Sequence, residues 1–251
     1  MPGQPDPAGE PPSHRSGQAL AGARLQDDPP TVPSQAVCVL VSGGLDSCVL
    51  AAELARRRPA VFPLFIRQGL RWEETELYWL GRFLESVKVE SLRELAVLDS
   101  PVADLYGGHW SVTGETVPGA ETEDAAVYLP GRNVLLLTKA AVFCAMRRIP
   151  EIALGILERN PFPDATPEFF RRMESALTSA LDFPIRITRP LSGLTKKAIT
   201  QMGRGLPLEL TFSCLNPAGR NHCGVCNKCA ERRKGFLGAG LEDRTVYAAS
   251  P

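Results

Sequence analysis

The stretch that decides the fold is Val37-Cys-Val-Leu-Val-Ser-Gly-Gly-Leu-Asp46, which is followed by Ser47. Its first five residues are apolar and rich in valine, a composition typical of a buried parallel strand. A glycine pair then precedes a helix-forming segment, residues 47–58. The stretch therefore predicts a strand, a tight turn and a helix.

The turn between this strand and helix is a candidate phosphate site. Backbone N–H groups and the positive end of the helix dipole meet there, and both favour anions. Gly43 and Gly44 let the backbone approach an anion that a Cβ atom would hold off. Ser42 and Ser47 add hydroxyl donors. Asp46 would repel phosphate unless a divalent cation lay between them, so it indicates Mg²⁺.

The motif differs from a Walker A loop, because the Gly-x-x-x-x-Gly-Lys-Ser/Thr spacing is absent. Ser-Gly-Gly-Leu-Asp-Ser, residues 42–47, instead resembles the PP-loop of N-type ATP pyrophosphatases, which release pyrophosphate and transfer or activate an adenylate. The resemblance implies that this loop, Leu45 included, binds ATP. The alternative is a glycine-rich turn of any doubly wound protein, but serines and an aspartate at these places favour phosphate binding.

The rest of the chain alternates predicted strands and helices. Apolar runs predict strands at residues 60–66, 90–98, 151–157 and 185–187. Helical spacing and start signals predict helices at 73–87, at 166–181 and at 194–202, and one that opens at Leu129, with Pro130 in its first turn, and runs to about 147. This repetition predicts an α/β fold with a doubly wound, mostly parallel sheet. Residues 99–127 lack a clear period and predict a long loop with a solvated His109.

Composition sets the limits of the domain organisation. The 251 residues suffice for one sizeable α/β domain plus an appendage. Residues 1–35 are rich in proline and poor in large apolar side chains, which predicts a disordered tail. No signal-peptide core or run of membrane-spanning length occurs, so we expect a cytoplasmic protein. The balance of 28 basic and 28 acidic residues gives no global attraction for nucleic acid.

Cysteines predict a metal site near the C-terminus. Four of the seven lie within sixteen residues, and without a secretory signal a disulfide framework is not expected. The two-residue gaps let thiolates meet one ion, which predicts tetrahedral, structural Zn²⁺ on Cys214, Cys223, Cys226 and Cys229. His222 is a rival ligand, but it would have to displace a thiolate. The remaining cysteines are predicted to be core residues: Cys38, Cys48 and Cys144. We expect a PP-loop domain at 36–205 and a zinc-binding region at 206–251.

Two further places carry candidate site residues. Arg132 and Asn133 lie near a predicted helix start, where a cation and an amide would join a dipole that favours anions. An exposed arginine with a capping asparagine is the alternative. The turn-rich segment 158–166 follows a predicted strand, at the edge where open α/β sheets bind ligands. Lys196 lies in the predicted helix 194–202.

Together, residues 36–237 resemble the 7-cyano-7-deazaguanine synthase (QueC, ExsB) family. No single motif is decisive, but their order along the chain is specific. The resemblance is carried by the PP-loop, Pro-Gly-Arg-Asn at 130–133, Leu-Thr-Lys at 194–196, Leu-Glu-Leu-Thr-Phe-Ser-Cys at 208–214, the Cys-x-x-Cys-x-x-Cys cluster and Lys-Gly-Phe at 234–236. It implies an adenine nucleotide alpha hydrolase-like fold with a C-terminal zinc ribbon.

The resemblance also implies the chemistry of an ATP-dependent C–N ligase. Members of the family adenylate the carboxylate of 7-carboxy-7-deazaguanine, let ammonia displace AMP to give the amide, then adenylate the amide oxygen and eliminate to the nitrile. The implied cofactors are ATP, Mg²⁺ and Zn²⁺. The implied phosphate ligands are Ser42, Gly43, Gly44, Asp46 and Ser47, with Lys196 and Arg132 as cationic partners. The implied substrate-binding residues are Arg132, Asn133, Glu158 and Asn160.

The chain departs from the family pattern on the acceptor side. The segment 158–166 is shorter than usual, and the acidic partner of a guanine edge is replaced by Asn160, while the family's arginine is replaced by Thr166. The segment 65–71 reads Phe-Ile-Arg-Gln-Gly-Leu-Arg in place of the usual Phe-Asp-Tyr-Gly-Gln-Arg. These changes leave ATP use intact and the acceptor substrate open.

Three hypotheses follow. The first is a nitrile-forming synthase that uses ammonia. The second is a divergent relative that adenylates a 7-deazaguanine or related carboxylate and passes it to an amine of a small molecule or protein. The third is an RNA-associated module with a degenerate ATP pocket, against which the intact loop and neutral net charge count. A homodimer without a membrane partner is the expected assembly.

Overall fold

The predicted first strand, β1 (Val37–Leu40), lies at the centre of a five-stranded sheet in the computed structural model, which describes residues 32–158 and 160–249. The strand order is β3-β2-β1-β4-β5, and all four pairings are parallel. The other strands are β2 (Val61–Arg67), β3 (Ala96–Asp99), β4 (Glu151–Ala153) and β5 (Arg186–Thr188). The predicted α/β fold with a parallel sheet is confirmed.

Strand order places a crevice beside β1. The chain first adds β2 and β3 on one side of β1 and then crosses to the other side with β4 and β5. Cys38 of β1 therefore pairs with Phe62 on one side and Ile152 on the other. Loops that leave the carboxyl ends of β1 and β4 diverge to opposite faces, and ligands of open α/β sheets bind at such a point.

Helices cover both faces of the sheet. They are α1 (Leu45–Arg57), α2 (Glu73–Ser86), α3 (Ala103–Tyr106), α4 (Trp110–Thr113), α5 (Arg132–Met146), α6 (Pro167–Leu181), α7 (Lys196–Met202) and α8 (Asn227–Ala239). One apolar cluster joins β1 and β2 to α1, α2, α7 and α8, and the other joins the opposite face to α5 and α6.

Element boundaries differ from the prediction at two places near the crevice. Pro130 lies in the turn before α5 rather than in its first turn, because Gly131 adopts a left-handed conformation with φ of +72° and the helix begins at Arg132. The strand predicted at 151–157 ends at Ala153. Residues 154–157 leave the sheet and line the crevice instead.

The stretch predicted as a long loop, residues 99–127, contains α3, α4 and a 3-10 turn at Asp124–Val127. His109 is half-buried and caps α4, since its Nδ1 accepts a hydrogen bond from the Ser111 N–H at 3.3 Å. Trp110 stacks on the buried Trp72, with ring centroids 5.7 Å apart. The expectation of a solvated His109 is therefore wrong.

Helix α8 was not predicted, because its sequence lacks a clear apolar stripe. Its buried face combines small residues with Asn227, Phe236 and one arginine, Arg232, which is 2% exposed. Gly235 lets α8 approach α7 closely, since a Cβ there would come within 2.8 Å of the Lys196 side chain. Arg232 donates hydrogen bonds to Thr211, Thr245 and the Leu208 carbonyl, which tie the helix to the segments on either side.

The predicted tail, residues 1–35, lies outside the described residues up to residue 31. From Val32 onward the chain packs against the core. The described residues belong to one compact unit. None of the helices within residues 32–158 and 160–249 combines the length and the apolar character needed to cross a bilayer.

Candidate active site

A cavity of about 330 Å³ opens at the carboxyl ends of β1 and β4. Its walls come from the loop after β1, the first two turns of α2, the start of α5, the segment after β4, and the facing sides of α7 and α8. Elements far apart in the sequence therefore meet around one space.

The loop after β1 is fixed by hydrogen bonds within the protein. Gly43 has a φ of +79°, and a Cβ atom there would lie 2.8 Å from the Glu76 carbonyl oxygen, so glycine is required. The Ser47 hydroxyl accepts a hydrogen bond from the Ser42 N–H and donates one to the Gly44 carbonyl, both at 3.1 Å. The Phe212 N–H donates to the Gly43 carbonyl at 2.7 Å.

The first turn of α1 offers donors to an anion. Among the described residues, none accepts a hydrogen bond from the backbone N–H of Leu45, Asp46 or Ser47, whereas Cys48 N–H donates to the Gly44 carbonyl. Gly155 keeps the neighbouring loop close to this turn, since a Cβ atom there would lie 3.3 Å from the Ser47 nitrogen. Three free donors at the positive end of a helix dipole suit a phosphate group.

A chain of charged side chains borders these donors. The Lys196 ammonium contacts Asp46 Oδ2 at 2.6 Å and Glu231 Oε1 at 3.0 Å, and the Lys228 ammonium contacts Glu231 Oε2 at 2.6 Å. Burial lowers the pKa of Lys196, but the two carboxylates outweigh it and raise this pKa above its usual value. Burial raises the pKa of Glu231, but the two lysines outweigh it and leave the pKa at about 2.

Asp46 retains one acceptor for a further ligand. Its Oδ1 is buried and makes no hydrogen bond with any residue in 32–158 or 160–249, while Oδ2 contacts Lys196. A carboxylate oxygen is the ligand type that Mg²⁺ takes, in company with substrate phosphates. The unpaired oxygen beside the free donors of α1 therefore fits a divalent cation.

Arg132 lines the cavity from the start of α5, and its Nε donates to Gln68 Oε1 at 2.9 Å. Asn133 does not line the cavity. Its backbone N–H donates to Asp164 Oδ2 and its side-chain amide donates to the Asp164 carbonyl, both at 2.9 Å. These polar groups of Asn133 fasten the segment after β4 to α5. Glu158 is exposed and also lies outside the lining. The substrate-binding roles of both residues stay predictions.

Asn160 lies in the cavity wall, as predicted for a substrate-binding residue. Its Oδ1 accepts a hydrogen bond from the Phe162 N–H at 3.0 Å, which fixes the orientation of the amide. One lone pair of the carbonyl oxygen is therefore used in a local turn, and the NH₂ group and the second lone pair are available to a ligand.

Two buried carboxylates of α2 escaped the sequence prediction. Glu73 accepts hydrogen bonds from the Gln68 N–H at 2.5 Å and the Gly69 N–H at 2.7 Å. Glu76 lines the cavity and makes no hydrogen bond with a described residue. Both belong to a helical stripe completed by Leu80 and Phe83, which are fully buried. Acidic residues in the apolar positions of this stripe were the signal that could have revealed them.

Three cavity residues of α8 were also not predicted from the sequence. Lys228, Glu231 and Arg232 all line the cavity. The spacing of Lys228 and Glu231, three residues apart, is that of an ion pair on one helix face. This spacing has a meaning only if residues 227–239 form a helix that faces the cavity. The sequence of that segment gives little indication of such a helix.

The four predicted metal ligands meet beside the cavity. The Sγ atoms of Cys214, Cys223, Cys226 and Cys229 lie within 4.8 Å of one another. Two backbone N–H groups point to Cys214 Sγ, from Asn216 at 3.3 Å and Cys223 at 3.2 Å. Such donors stabilise thiolate charge. Four convergent sulfur atoms with supporting N–H groups fit a metal that prefers thiolates, so the cluster can hold one.

His222 stands apart from the thiol cluster. Its Nε2 accepts a hydrogen bond from the Ser213 N–H at 3.1 Å, and its ring packs between those of Phe212 and Tyr247. Burial lowers the pKa of His222 to about 3, so the ring is neutral. The preference for four cysteines over His222 agrees with this geometry. The other three cysteines are buried, as expected of core residues: Cys38, Cys48 and Cys144.

The last described residues cross the turn between Cys223 and Cys226. The His222 N–H donates to the Val246 carbonyl, the Ala248 N–H donates to the His222 carbonyl, and the Ala249 N–H donates to the Cys223 carbonyl. Gly224, with φ of +89°, lies directly under this strap, since a Cβ atom there would overlap the Ala249 carbonyl. The cysteine turn is therefore enclosed by backbone on both sides.

Comparison with known proteins places the whole folded region in one family. The sequence profile described as Queuosine biosynthesis protein QueC matches residues 35–240. The 7-cyano-7-deazaguanine synthase of Picrophilus torridus is 31% identical over 234 residues, which cover 87% of this chain and 93% of that protein. The 7-cyano-7-deazaguanine synthase of Thermoplasma acidophilum is 32% identical over 232 residues, 85% of this chain and 92% of that protein.

Two solved structures show a weaker similarity. A 4-thiouridine synthetase in complex with RNA and bound ATP aligns with a TM-score of 0.47, over 82% of this chain and 50% of that chain. A predicted tRNA methyltransferase subunit from Methanocaldococcus jannaschii aligns with a TM-score of 0.45, over 67% of this chain and 73% of that chain. Both are 17% identical to it, and neither similarity bears on the site.

The profile match spans the sheet, the cavity and the cysteine cluster together. The relatives it brings in are synthases, which confirms the prediction of an enzyme of this class. The chain belongs to the QueC family.

Proposed function

We propose that this chain is an ATP-dependent synthase that activates the carboxylate of 7-carboxy-7-deazaguanine, or of a related acid, as an adenylate. The observation that carries the proposal is the set of three free N–H donors at α1, placed beside Asp46 and Lys196 in the cavity of a QueC-family chain. Ammonia or another amine then displaces AMP.

Residues of the phosphate loop and α7 have assigned roles in this proposal. The N–H groups of Leu45, Asp46 and Ser47 hold the phosphate chain, and Lys196 balances its charge. Asp46 Oδ1 would be the protein ligand of Mg²⁺, and the bound ion would neutralise charge on the phosphate oxygens. Arg132 lies on the opposite wall and binds the acid or its adenylate.

Activation is required because a carboxylate resists nucleophiles. Its conversion to an adenylate replaces a poor leaving group by AMP, with release of pyrophosphate. The side chains that line the cavity do no covalent chemistry in that step. They hold the carboxylate and the α-phosphate in line and stabilise the charge that builds on the departing phosphates.

Zinc is the metal that we propose for the cysteine cluster. All four positions of a tetrahedral site are filled by thiolates, so no position is left for water or substrate. The role of the ion is therefore structural. It fixes the start of α8, the helix that brings Lys228 and Glu231 to the cavity.

The product depends on the nucleophile that attacks the adenylate. The relatives are named 7-cyano-7-deazaguanine synthases, which supports a nitrile as the product. We propose that the nitrile forms through an amide with a second ATP. The NH₂ group of Asn160, in the place of an acidic residue, supports the second candidate, in which another amine of a small molecule or protein takes the acyl group. A homodimer remains our expectation for the assembly.

The test uses the purified full-length protein with ATP, Mg²⁺, 7-carboxy-7-deazaguanine and ammonium. We expect acid-dependent formation of AMP and pyrophosphate, and mass spectrometry then distinguishes nitrile, amide and conjugate. Nucleotide hydrolysis that does not respond to any acid would refute adenylation. In that case an RNA-associated binding role would become the favoured hypothesis.

A further inference from the structure

Glu76 is a buried carboxylate that the chemistry described so far does not use. It lies in the first turn of α2, is 7% exposed and lines the cavity. Within residues 32–158 and 160–249, no hydrogen bond or ion pair reaches its oxygens, which open into the cavity rather than being sealed from it. A largely buried carboxylate whose free oxygens face a cavity is available to a ligand that enters there.

Its neighbour Glu73 shows what an ordinary structural carboxylate looks like here. Glu73 lies three residues earlier on the same helix and is equally buried, but both of its oxygens accept backbone hydrogen bonds, from Gln68 and Gly69. Those bonds fix the turn before α2. Glu76 contributes nothing comparable to the local structure, so helix capping does not explain it.

The position of Glu76 is fixed relative to the phosphate loop. A Cβ atom on Gly43 would lie 2.8 Å from the Glu76 carbonyl oxygen and 3.4 Å from its Cβ, so the two backbones are in contact. Glu76 therefore stands behind the turn that leads into α1. An acyl group joined to a phosphate held at that turn reacts within the same small cavity that Glu76 faces.

Charged and titratable groups from three elements face Glu76. They are Arg132 of α5, Glu73 of α2 itself and Cys48 of α1. Burial raises the pKa of Glu76 well above its usual value, Arg132 opposes this, and Glu73 adds to it. A carboxylate in these surroundings accepts a proton more readily than one in water.

We propose that Glu76 binds the attacking nitrogen, ammonia or a primary amine, and takes one proton from it. The inference rests on the proposed function, because it needs an acyl adenylate. In the step, the bond between nitrogen and the carbonyl carbon forms, and the bond between that carbon and the phosphate oxygen breaks. Its electron pair leaves with AMP. One N–H bond breaks, and its proton goes to a Glu76 oxygen and later to water.

The test separates activation of the acid from attack by nitrogen. Glu76→Gln keeps the size of the side chain and removes its basicity. Isotope exchange between pyrophosphate and ATP, dependent on 7-carboxy-7-deazaguanine, reports adenylation alone. Product formation with ammonium reports both steps. We expect exchange to change less than about threefold and product formation to fall about 10²- to 10⁴-fold, the usual contribution of a general base.

Two controls sharpen the result. Glu74→Gln changes an exposed carboxylate of the same helix and should leave both assays unaltered. Hydroxylamine is an uncharged, strong nucleophile near neutral pH and depends less on a general base. With hydroxylamine, product formation by the Glu76→Gln protein should therefore fall less than about tenfold, a smaller loss than with ammonium. If Glu76→Gln fails to fold, Glu76→Asp serves in the same pair of assays, with a deficit confined to product formation.

The outcomes are distinguishable. Equal losses in exchange and in product formation would mean that Glu76 serves ATP or its cation, and would overturn the inference. Unchanged product formation by Glu76→Gln would also overturn it. Absence of exchange in the unaltered protein would instead refute the proposed function, and the inference with it.

Discussion

The phosphate loop and the cysteine cluster both precede a helix, but they are stabilised in opposite ways. The loop before α1 is closed by its own hydrogen bonds through Ser42, Ser47 and the Phe212 N–H, and its ligand-binding donors stay free. The cluster before α8 brings four thiols within 4.8 Å of one another. Thiolates this close repel each other unless a cation lies between them. The comparison predicts that the fold around the loop survives removal of the nucleotide, whereas the fold around the cluster depends on the proposed metal.

Loss of a cysteine ligand should give the largest effect. Cys226→Ser is expected to lose the metal and to lower the melting temperature by at least about 10 °C, because 1 kcal/mol corresponds to about 2–4 °C in a domain of this size and metal binding stabilises the folded state by several times that. Metal analysis and thermal melting of both proteins test this. If the reduced, unaltered protein contains no near-stoichiometric zinc, the assignment of a zinc site to the cysteine cluster is wrong.

Changes on the phosphate side should abolish chemistry and spare the fold. Asp46→Asn and Lys196→Ala are expected to reduce pyrophosphate release by at least about 10²–10³-fold, since each removes a group assigned to transition-state charge. Metal content and melting temperature should stay close to those of the unaltered protein. Normal turnover in either variant would remove the role of that residue.

A smaller effect is expected where backbone alone shapes the loop. Gly155→Ala places a methyl group 3.3 Å from the Ser47 nitrogen and should weaken ATP binding about tenfold, or about 1.4 kcal/mol, because it crowds a donor of the phosphate site. Gly193→Ala, with no atom within 4 Å of the added methyl group, is the matched control. Calorimetric titration with a non-hydrolysable ATP analogue measures both. Equal affinities would show that this donor is not used.

The smallest effect concerns the acceptor side. Asn160→Asp keeps the oxygen that accepts from Phe162 N–H and replaces the free NH₂ group by a charged acceptor. If a guanine-like edge binds here, 7-carboxy-7-deazaguanine should bind about threefold to tenfold tighter to the variant, because hydrogen bonds to charged groups are stronger. Calorimetric titration, with and without the ATP analogue, tests this. Binding to neither protein would exclude a deazaguanine as the ligand.

Sequence patterns predicted the parts of the site that lie on one continuous segment. The strand, glycine pair and helix around Asp46 carry their own signals, since apolar runs, Gly φ values and helix starts are local properties. The same holds for the cysteine spacing. Both predictions depended on residues within sixteen positions of one another, and the structure brings each set together.

The parts that escaped prediction depend on tertiary contacts. Glu76 is placed by the contact of α2 with Gly43, 33 residues away, and Glu231 by its ion pair with Lys196, 35 residues away. Asn133 and Glu158 were chosen by their closeness to a strand end or helix start. Their side chains turn to other partners or to solvent, which no local pattern determines.

The strap over the cysteine turn has a consequence for protein synthesis. Carbonyl groups of His222 and Cys223 find their N–H donors only in Ala248 and Ala249, among the final described residues to leave the ribosome. A nascent chain can therefore complete all five strands, which end at Thr188, while its cysteine turn is still open to solvent and oxidants. Binding of a metal by the cysteines before the strap closes would therefore protect these thiols from oxidation during synthesis.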